Sequence, residues 1–233
     1  MYAPAPLPSL PVKLRSWRQQ LLERWCTLWL LKLVGISGGM GLFFAVYFWV
    51  LNHPLGTVTT MPTMALDELI PFRSGALGLY LSLWVYVSLV PALTKNFREL
   101  GHYGLAALIL SLLGLGIFFI WPTAVPITNI DWTLYPSIAF LKTHDASGNA
   151  CPSLHVAFAV LSAFWFERII REIQAPGYLR VLNWLWCLGI IYSTIATRQH
   201  VVLDALAGAL LGTCIAVIAT WRHAGAPSSQ TST

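Results

Sequence analysis

The chain has 233 residues, of which 57% are hydrophobic and only 10% are charged. A soluble domain carries about 25% charged residues, so this composition excludes an ordinary soluble protein and indicates an integral membrane protein. The net charge of +5 does not indicate nucleic-acid binding, because the Lys and Arg residues lie near the ends of apolar runs. The cysteines, Cys26, Cys151, Cys187 and Cys214, lack zinc-site spacing and predict no disulfide framework.

The N-terminal region, residues 1–28, combines a Pro-rich lead with a basic segment, and we expect it to be cytoplasmic. Within it, residues 13–28 place Leu14, Trp17 and Leu21 three and four residues apart, with basic residues between them. This pattern is typical of a basic amphipathic helix on an anionic membrane surface. It is equally typical of the charged flank of a first span, and both interpretations stay open.

Six apolar stretches are each close to the roughly 20 residues that a helix needs to cross a bilayer. We therefore predict an all-α fold, a polytopic membrane bundle of six transmembrane helices, within a membrane domain of residues 29–221. The predicted spans are residues 29–51, 75–94, 103–121, 152–170, 181–198 and 200–220. Residues 222–233 are a polar tail that we predict to be disordered and cytoplasmic.

The orientation follows from the Lys and Arg residues. An even number of spans puts both termini on one side, and most Lys and Arg residues fall on that side. The opposite side has only Arg73, Lys142 and Arg198. This bias predicts cytoplasmic termini, so that the loops at about residues 52–74 and 122–151 face outward.

Residues 151–155, CPSLH, begin the fourth predicted span at its outward end. The proline suits the first position of a helix, which would leave the backbone amides of Ser153 and Leu154 free. Free amides and the positive end of the helix dipole form an anion site, to which the Ser153 hydroxyl adds a donor. Arg198 and, as a further candidate, Lys142 could add positive charge to this site.

Residues 197–208, TRQHVVLDALAG, place His200 and Asp204 four residues apart, on one face of a helix. Asp204 would lie inside an apolar span, where an ionisable group is costly and indicates a functional site. A carboxylate at this spacing can accept the imidazole Nδ1–H, which leaves Nε2 as a nucleophile or base. The predicted topology puts this motif at the same depth as CPSLH, so the two motifs predict one site.

An anion held beside a carboxylate-oriented histidine indicates phosphoryl transfer. His200 would attack phosphorus and form a phosphohistidine, and His155 would protonate the leaving oxygen and later deprotonate the acceptor. Cationic side chains and amides can carry the transition-state charge, so we predict neither a metal nor another cofactor. Two alternatives stay open: a structural hydrogen bond for His155, and a metal site from His155, His200 and Asp204.

Other polar and small residues have simpler interpretations. Asp67, Glu68 and Arg73 in the first outward loop are expected to be solvated charges, as is Lys142 in the second. The glycines of the first span, such as Gly35 and Gly38, are expected to allow close packing between helices.

The pattern Pro-Ser-x-His at the start of one span, then His-x-x-x-Asp at the start of a later one, resembles the type 2 phosphatidic acid phosphatase superfamily. Residues 120–215 carry most of the resemblance. Membrane members of that family have six spans, a metal-independent phosphohistidine mechanism and lipid phosphate substrates. The resemblance implies that Ser153 is a phosphate ligand, His155 the acid and base, His200 the nucleophile and Asp204 its orienting partner.

The chain departs from the usual family motifs at three places. Leu154 replaces the glycine of Pro-Ser-Gly-His, and Thr194 stands where the third motif has a phosphate-binding arginine, with Arg198 one helical turn further on. The first motif, Lys-x6-Arg-Pro, has no match near residues 121–128. Pro-Ser-Leu-His is typical of the branch that includes inositol phosphorylceramide synthases, which transfer a phosphorylated head group to a lipid alcohol.

The sequence therefore predicts a metal-independent integral-membrane lipid phosphatase or phosphotransferase. We expect it in the bacterial inner (plasma) membrane, with its active site facing outward, and with a lipid phosphate and the bilayer as partners. The lipid, the acceptor (water or a lipid alcohol) and the oligomeric state stay open.

Two other functions are alternatives, a transporter and a catalytically inactive lipid-phosphate-binding protein. A transporter places polar sites near the membrane midplane, whereas here the polar residues cluster at the outward end, with none evident on the cytoplasmic half.

Overall fold

The structure, a computed structural model, describes residues 15–145 and 148–224. It is mostly helical, at 74%. The predictions for the Pro-rich lead before residue 15 and for the tail beyond residue 224 lie outside the described residues. The helices are α1 (Trp17–Cys26), α2 (Trp29–Asn52), α3 (Ala65–Leu69), α4 (Leu77–Leu81), α5 (Leu83–Ala92), α6 (Phe97–Ile120), α7 (Pro136–Asp145), α8 (Leu154–Glu172), α9 (Gly177–Ala196) and α10 (Val202–Ala224).

Among the described residues, five helical segments are long and apolar enough to cross a membrane, which fits a multi-pass membrane protein. They agree with five of the six predicted spans to within a few residues, and they are Trp29–Asn52, Ser74–Ala92, Phe97–Ile120, Gly177–Ala196 and Val202–Thr220. The second of them is not one continuous helix: a 3₁₀ turn (Ser74–Ala76) leads into α4 and α5. At the α4–α5 junction, the Ser82 hydroxyl donates a hydrogen bond to the Leu79 carbonyl at 2.6 Å.

The fourth predicted span, residues 152–170, corresponds to α8, which is not among those five apolar segments. It is long enough, but its last two turns carry Glu167, Arg168, Arg171 and Glu172. Apart from His155 and Ser162, the rest of α8 is apolar, as is typical of a helix buried in a core. Most of its residues are buried, and Trp165 is 0% exposed. It is the central helix of the bundle, and α10, α9, α5 and α6 pack around it.

The closest helix contact, between α8 and α10, depends on two glycines of α10. A Cβ atom on Gly208 would lie 2.2 Å from the carbonyl oxygen of Ser153, and one on Gly212 would lie 2.4 Å from that of Ala157. Only glycine allows this approach. By contrast, no atom of the described residues lies within 4 Å of such a position on Gly35 or Gly38 of α2, so the prediction that they allow close packing is wrong for contacts with these residues.

Two short strands join the loops at one end of the bundle. β1 (Thr59–Thr60) pairs in parallel with β2 (Thr123–Ala124), with Thr59 opposite Thr123. The pairing attaches the loop after α2 to the loop after α6. Both loops therefore lie at the end where α8 and α10 begin.

The opposite end of the bundle holds a group of charged side chains, of which Arg24 and Glu99 are buried. Arg24 of α1 lies 3.9 Å from Glu99 of α6 and 3.3 Å from Glu172 of α8, while Arg168 lies 3.9 Å from Glu99. Glu99 is 1% exposed, so its charge requires these partners. The prediction of no polar residues on this half is wrong, which removes one argument against a transporter.

Candidate active site

Ser153 is the N-cap of α8. Its hydroxyl accepts the Val156 N–H at 3.3 Å, and the residue is fully buried. The helix begins at Leu154, so Pro152 precedes the cap and does not occupy the first helical position. The prediction of a free Ser153 amide is also wrong, because this N–H donates to the Asp204 carbonyl at 3.0 Å. The hydroxyl hydrogen can still be donated, since the cap uses only a lone pair.

Thr123 supports the backbone that leads into this cap. Its hydroxyl oxygen accepts the N–H groups of Ala150 at 3.1 Å and Cys151 at 2.8 Å, and the residue is 1% exposed. Thr123 belongs to the segment in which the first family motif has no match. The segment therefore reaches the site through a hydroxyl instead of a cation, a contact that the sequence analysis missed.

Leu154 points away from this cap and packs against α6. A Cβ atom on Gly114 would lie 2.3 Å from Cδ2 of Leu154, so the leucine fills the space that this glycine leaves. The departure from Pro-Ser-Gly-His is therefore accommodated by a second glycine on a neighbouring helix. Within the described residues, no hydrogen bond from the Leu154 amide is found outside α8.

His155, in the first turn of α8, is held by α4 and α5. Its ring stacks on Tyr80 at 4.0 Å between centroids, and its Nε2 lies 2.9 Å from the Tyr80 carbonyl oxygen. Trp84 contacts the ring edge-on at 5.8 Å. Because a carbonyl only accepts, Nε2 carries the hydrogen in this arrangement. The structural inter-helix bond that we considered for His155 is thus present.

His200 lies in the turn between α9 and α10, beside Asp204. Its Nδ1 lies 3.6 Å from Oδ2 of Asp204, which is 0% exposed. This distance is beyond hydrogen-bond range, and His200 Nδ1 and Asp204 Oδ1 make no hydrogen bond within the described part of the chain. Oδ2 of Asp204 instead accepts the Val201 N–H at 3.0 Å. Catalytic hydrogen bonds are often long before substrate binds, so the pair can tighten.

The two motifs meet at one end of the bundle. The Ser153–Asp204 hydrogen bond and the close approach of Gly208 to Ser153 join the start of α8 to the start of α10. Ser153, His155, His200 and Asp204 are thereby brought to one place, and their catalytic roles stay predictions. The group does not form a metal site: among the described residues, no three His, Cys, Asp or Glu side chains are placed to hold a metal ion.

The thiol nearest to this site is not a competing nucleophile. Cys151 lies two residues before the helix cap and is 7% exposed. Burial, together with the charge of Asp204, raises the pKa of its thiol to about 11. The thiolate, which is the reactive form, is therefore scarce at neutral pH.

Arg198 and Lys142, the two predicted sources of positive charge, are both bonded to backbone carbonyls. Arg198 donates from Nη1 to Asp67 and from Nη2 to Ile70, each at 3.1 Å. Lys142 donates from Nζ to the Arg198 carbonyl at 2.9 Å and lies 4.8 Å from the Trp132 ring centroid. Lys142 belongs to α7, so its predicted loop position is wrong.

Asp67 is buried, and the prediction that it is a solvated charge is wrong. The residue is 3% exposed, and its two oxygens accept the N–H groups of Met64 and Val202, each at 2.8 Å. The spacing of Met64 and Asp67 is that of a helix cap and its third residue, so the local contact had a sequence signal. The contact with Val202, across 135 residues, had none.

A cavity of about 600 Å³ lies beside α9 at this end of the bundle. Arg73 lines this cavity, and its backbone N–H donates to the Ala196 carbonyl at 2.9 Å. The Arg73 side chain is exposed and makes no hydrogen bond or ion pair with the described residues. The cavity is lined by Phe72, Arg73, Ser74, Gly75, Ala76, Leu79, Tyr135 and Tyr192, none of which is acidic.

One of three comparisons with known proteins finds a match. No curated protein and no solved structure matches the chain. The model of the PAP2 superfamily matches residues 76–218, which is more than half of the chain and includes both motifs of the candidate site. Members of this superfamily are phosphatases, which agrees with the prediction of phosphoryl transfer. The chain therefore belongs to the PAP2 superfamily.

Proposed function

We propose that the protein is an integral-membrane lipid phosphatase or phosphotransferase that acts through a phosphohistidine at the outer membrane face. The observation that carries the proposal is the junction of the two motifs. The Ser153 amide bonds the carbonyl of Asp204, whose carboxylate lies 3.6 Å from His200. A helix N-terminus, which favours an anion, is thus joined to a histidine beside a carboxylate.

The proposed reaction has two half-reactions. His200 Nε2 attacks phosphorus, the bond from phosphorus to the leaving oxygen breaks, and protonated His155 transfers a proton to that oxygen. His155 then takes a proton from the acceptor, whose oxygen attacks phosphorus and releases His200. Asp204 stabilises the positive charge on the His200 ring. His155 must exchange the Tyr80 carbonyl for the leaving oxygen in the first step.

Positive charge for the phosphate is proposed to come from Arg73 in addition to Arg198 and Lys142. Of these three cations, Arg198 and Lys142 already donate to backbone carbonyls. Arg73 lines the cavity, and its guanidinium makes no hydrogen bond or ion pair with the described residues. A guanidinium recognises phosphate through two parallel hydrogen bonds, so Arg73 is the residue best placed to bind an incoming anion.

The proposed topology has six spans, which are the five apolar segments and α8 as the fourth span in chain order, with both termini in the cytoplasm. Two observations support it: α8 is shielded by the apolar helices around it, and the exposed residues Lys95, Arg98 and Arg171 lie at the end opposite the candidate site. We place the protein in a bacterial inner membrane with the site outward.

The first experiment measures phosphate release by the purified protein from a panel of lipid phosphates, with a chelator present. Wild type is compared with His200→Ala. We expect release in the presence of chelator from wild type and a loss of at least about 1,000-fold in the variant, as for removal of other catalytic nucleophiles. Equal release by both proteins would refute the role of His200.

A second arm of the same experiment adds a lipid alcohol. Both acceptors use the same phosphohistidine, so the arm distinguishes a phosphatase from a transferase such as the inositol phosphorylceramide synthases. Binding of lipid phosphate without turnover in either arm would identify a catalytically inactive binding protein.

A further inference from the structure

A short segment between α2 and α4 is attached to the turn that carries His200. This segment includes α3 and is largely exposed, with Leu66 at 51% and Leu69 at 75%. Asp67, in its middle, is 3% exposed. A carboxylate buried in this way requires hydrogen-bond partners, and those partners define what it does.

Asp67 uses both carboxylate oxygens to accept backbone hydrogen bonds. Oδ2 accepts the Met64 N–H at 2.8 Å, which closes the turn of α3. Oδ1 accepts the Val202 N–H at 2.8 Å. Val202 is the first residue of α10, so its amide is one that the helix cannot satisfy by itself. Negative charge is also favoured at this end of a helix by the helix dipole.

Arg198 makes a second attachment between the same two parts of the chain. Its guanidinium donates to the carbonyls of Asp67 and Ile70, and its own backbone has a φ of 57°, in the left-handed region. A non-glycine residue keeps this conformation only where its surroundings enforce it. Residues 199–201, which include His200, therefore lie between two residues that are bonded to the α3 segment, Arg198 and Val202.

The attachment affects the candidate site because the Asp204 carboxylate can interact either with a backbone amide or with His200. Its Oδ2 accepts the Val201 N–H at 3.0 Å and also faces Nδ1 of His200 at 3.6 Å. The next amide, that of the buried Val202, is taken by Asp67. Without Asp67 this amide would be left unsatisfied, which is costly in a buried position. Asp204, already at the neighbouring amide, is in position to turn towards it and away from His200.

We propose that Asp67 is a positioning residue of the candidate site. By holding the Val202 amide, it fixes the turn before α10 and leaves Asp204 directed at His200. The proposal rests on the proposed function, because its effect is measured through turnover by His200.

The test compares Asp67→Ala and Asp67→Asn with Glu68→Gln, in wild-type and Asp204→Asn backgrounds. Glu68 is the adjacent carboxylate and is exposed, so it controls for a change of charge in α3. The readouts are kcat, KM and thermal unfolding of the purified full chain with a lipid phosphate that wild type hydrolyses. We expect Asp67→Ala to lower kcat about 100-fold, the cost of a misplacement of about 1 Å, and to leave KM within about twofold.

The matched variants separate positioning from simple stability. Asp67→Asn keeps one oxygen for the Val202 amide, so it should lose less activity, and Glu68→Gln should match wild type. In the Asp204→Asn background, Asp67→Ala should cost less than about threefold, because residues that act as a unit are not additive. If Asp67→Ala does not fold, Asp67→Asn decides.

Two results would overturn the positioning role while the proposed function stands. They are wild-type kcat in both Asp67 variants, or the same fold loss in both backgrounds. A wild-type protein that turns over no lipid phosphate would instead refute the proposed function, and the role of Asp67 with it.

Discussion

The cations at the site end of the bundle are of two kinds. Arg198 and Lys142 make hydrogen bonds within the protein, whereas the Arg73 side chain is exposed at the cavity. Arg198 and Lys142 bond backbone carbonyls, and both contacts involve the turn between α9 and α10. Arg73 is anchored through its backbone, and its side chain stands on the cavity of about 600 Å³. Arg198 and Lys142 were the predicted phosphate-binding cations because they are close to the motifs in the sequence. The long-range contacts that occupy them have no sequence signal.

Arg73→Ala should therefore raise KM for a lipid phosphate more than it lowers kcat. A charge-assisted hydrogen bond is worth about 1.5–3 kcal/mol, and exposure of Arg73 puts the expected effect at the lower end, roughly tenfold in KM. The matched control is Arg98→Ala, which removes an exposed guanidinium from the opposite end of the bundle. Steady-state kinetics on both variants check this. An equal effect of the two substitutions would show that Arg73 contributes only to the overall surface charge.

For α8, the sequence predicted the helix but not its position in the bundle. The apolar run and the CPSLH motif predicted a span at residues 152–170, and the helix is found at Leu154–Glu172. Its position at the centre of the bundle could not be predicted, because a helix that is apolar on all sides is equally typical of a lipid-exposed span. The glycines that allow other helices to pack closely against α8 are Gly208 and Gly212 of α10 and Gly114 of α6.

The fit between Leu154 and Gly114 predicts compensating substitutions. Gly114→Ala places a methyl group 2.3 Å from the leucine side chain, which should cost about 1–3 kcal/mol of unfolding free energy by overpacking. Leu154→Ala alone should cost about 2–5 kcal/mol, because it leaves a cavity. The double variant should be more stable than the sum of these losses predicts, since the new methyl group enters that cavity.

Thermal or denaturant unfolding of the purified variants checks this coupling. Gly116→Ala is the matched control on the same helix, because no atom of the described residues lies within 4 Å of its Cβ position. It should leave stability nearly unchanged. Losses that simply add in the double variant would show that Leu154 and Gly114 do not share one space.

At the scale of the whole molecule, the two ends of the bundle have different chemistry. One end holds the candidate site, the paired strands and the cavity, and the other holds the ion pairs of the buried Arg24 with Glu99 and with Glu172. The excess of Lys and Arg on one side is the basis of the prediction that the second end is cytoplasmic. The ion pairs at that end were not predictable, because they join α1, α6 and α8, which are far apart in the sequence.

This polarity makes the orientation directly testable with single cysteines in a variant that lacks Cys26, Cys151, Cys187 and Cys214. Thr143→Cys places an exposed thiol on α7 at the site end, and Arg98→Cys places one at the start of α6 at the opposite end. In intact cells, a membrane-impermeant thiol reagent should label Thr143→Cys, and it should label Arg98→Cys only after permeabilisation. The reverse pattern would place the candidate site in the cytoplasm, where its substrate would have to come from the inner leaflet.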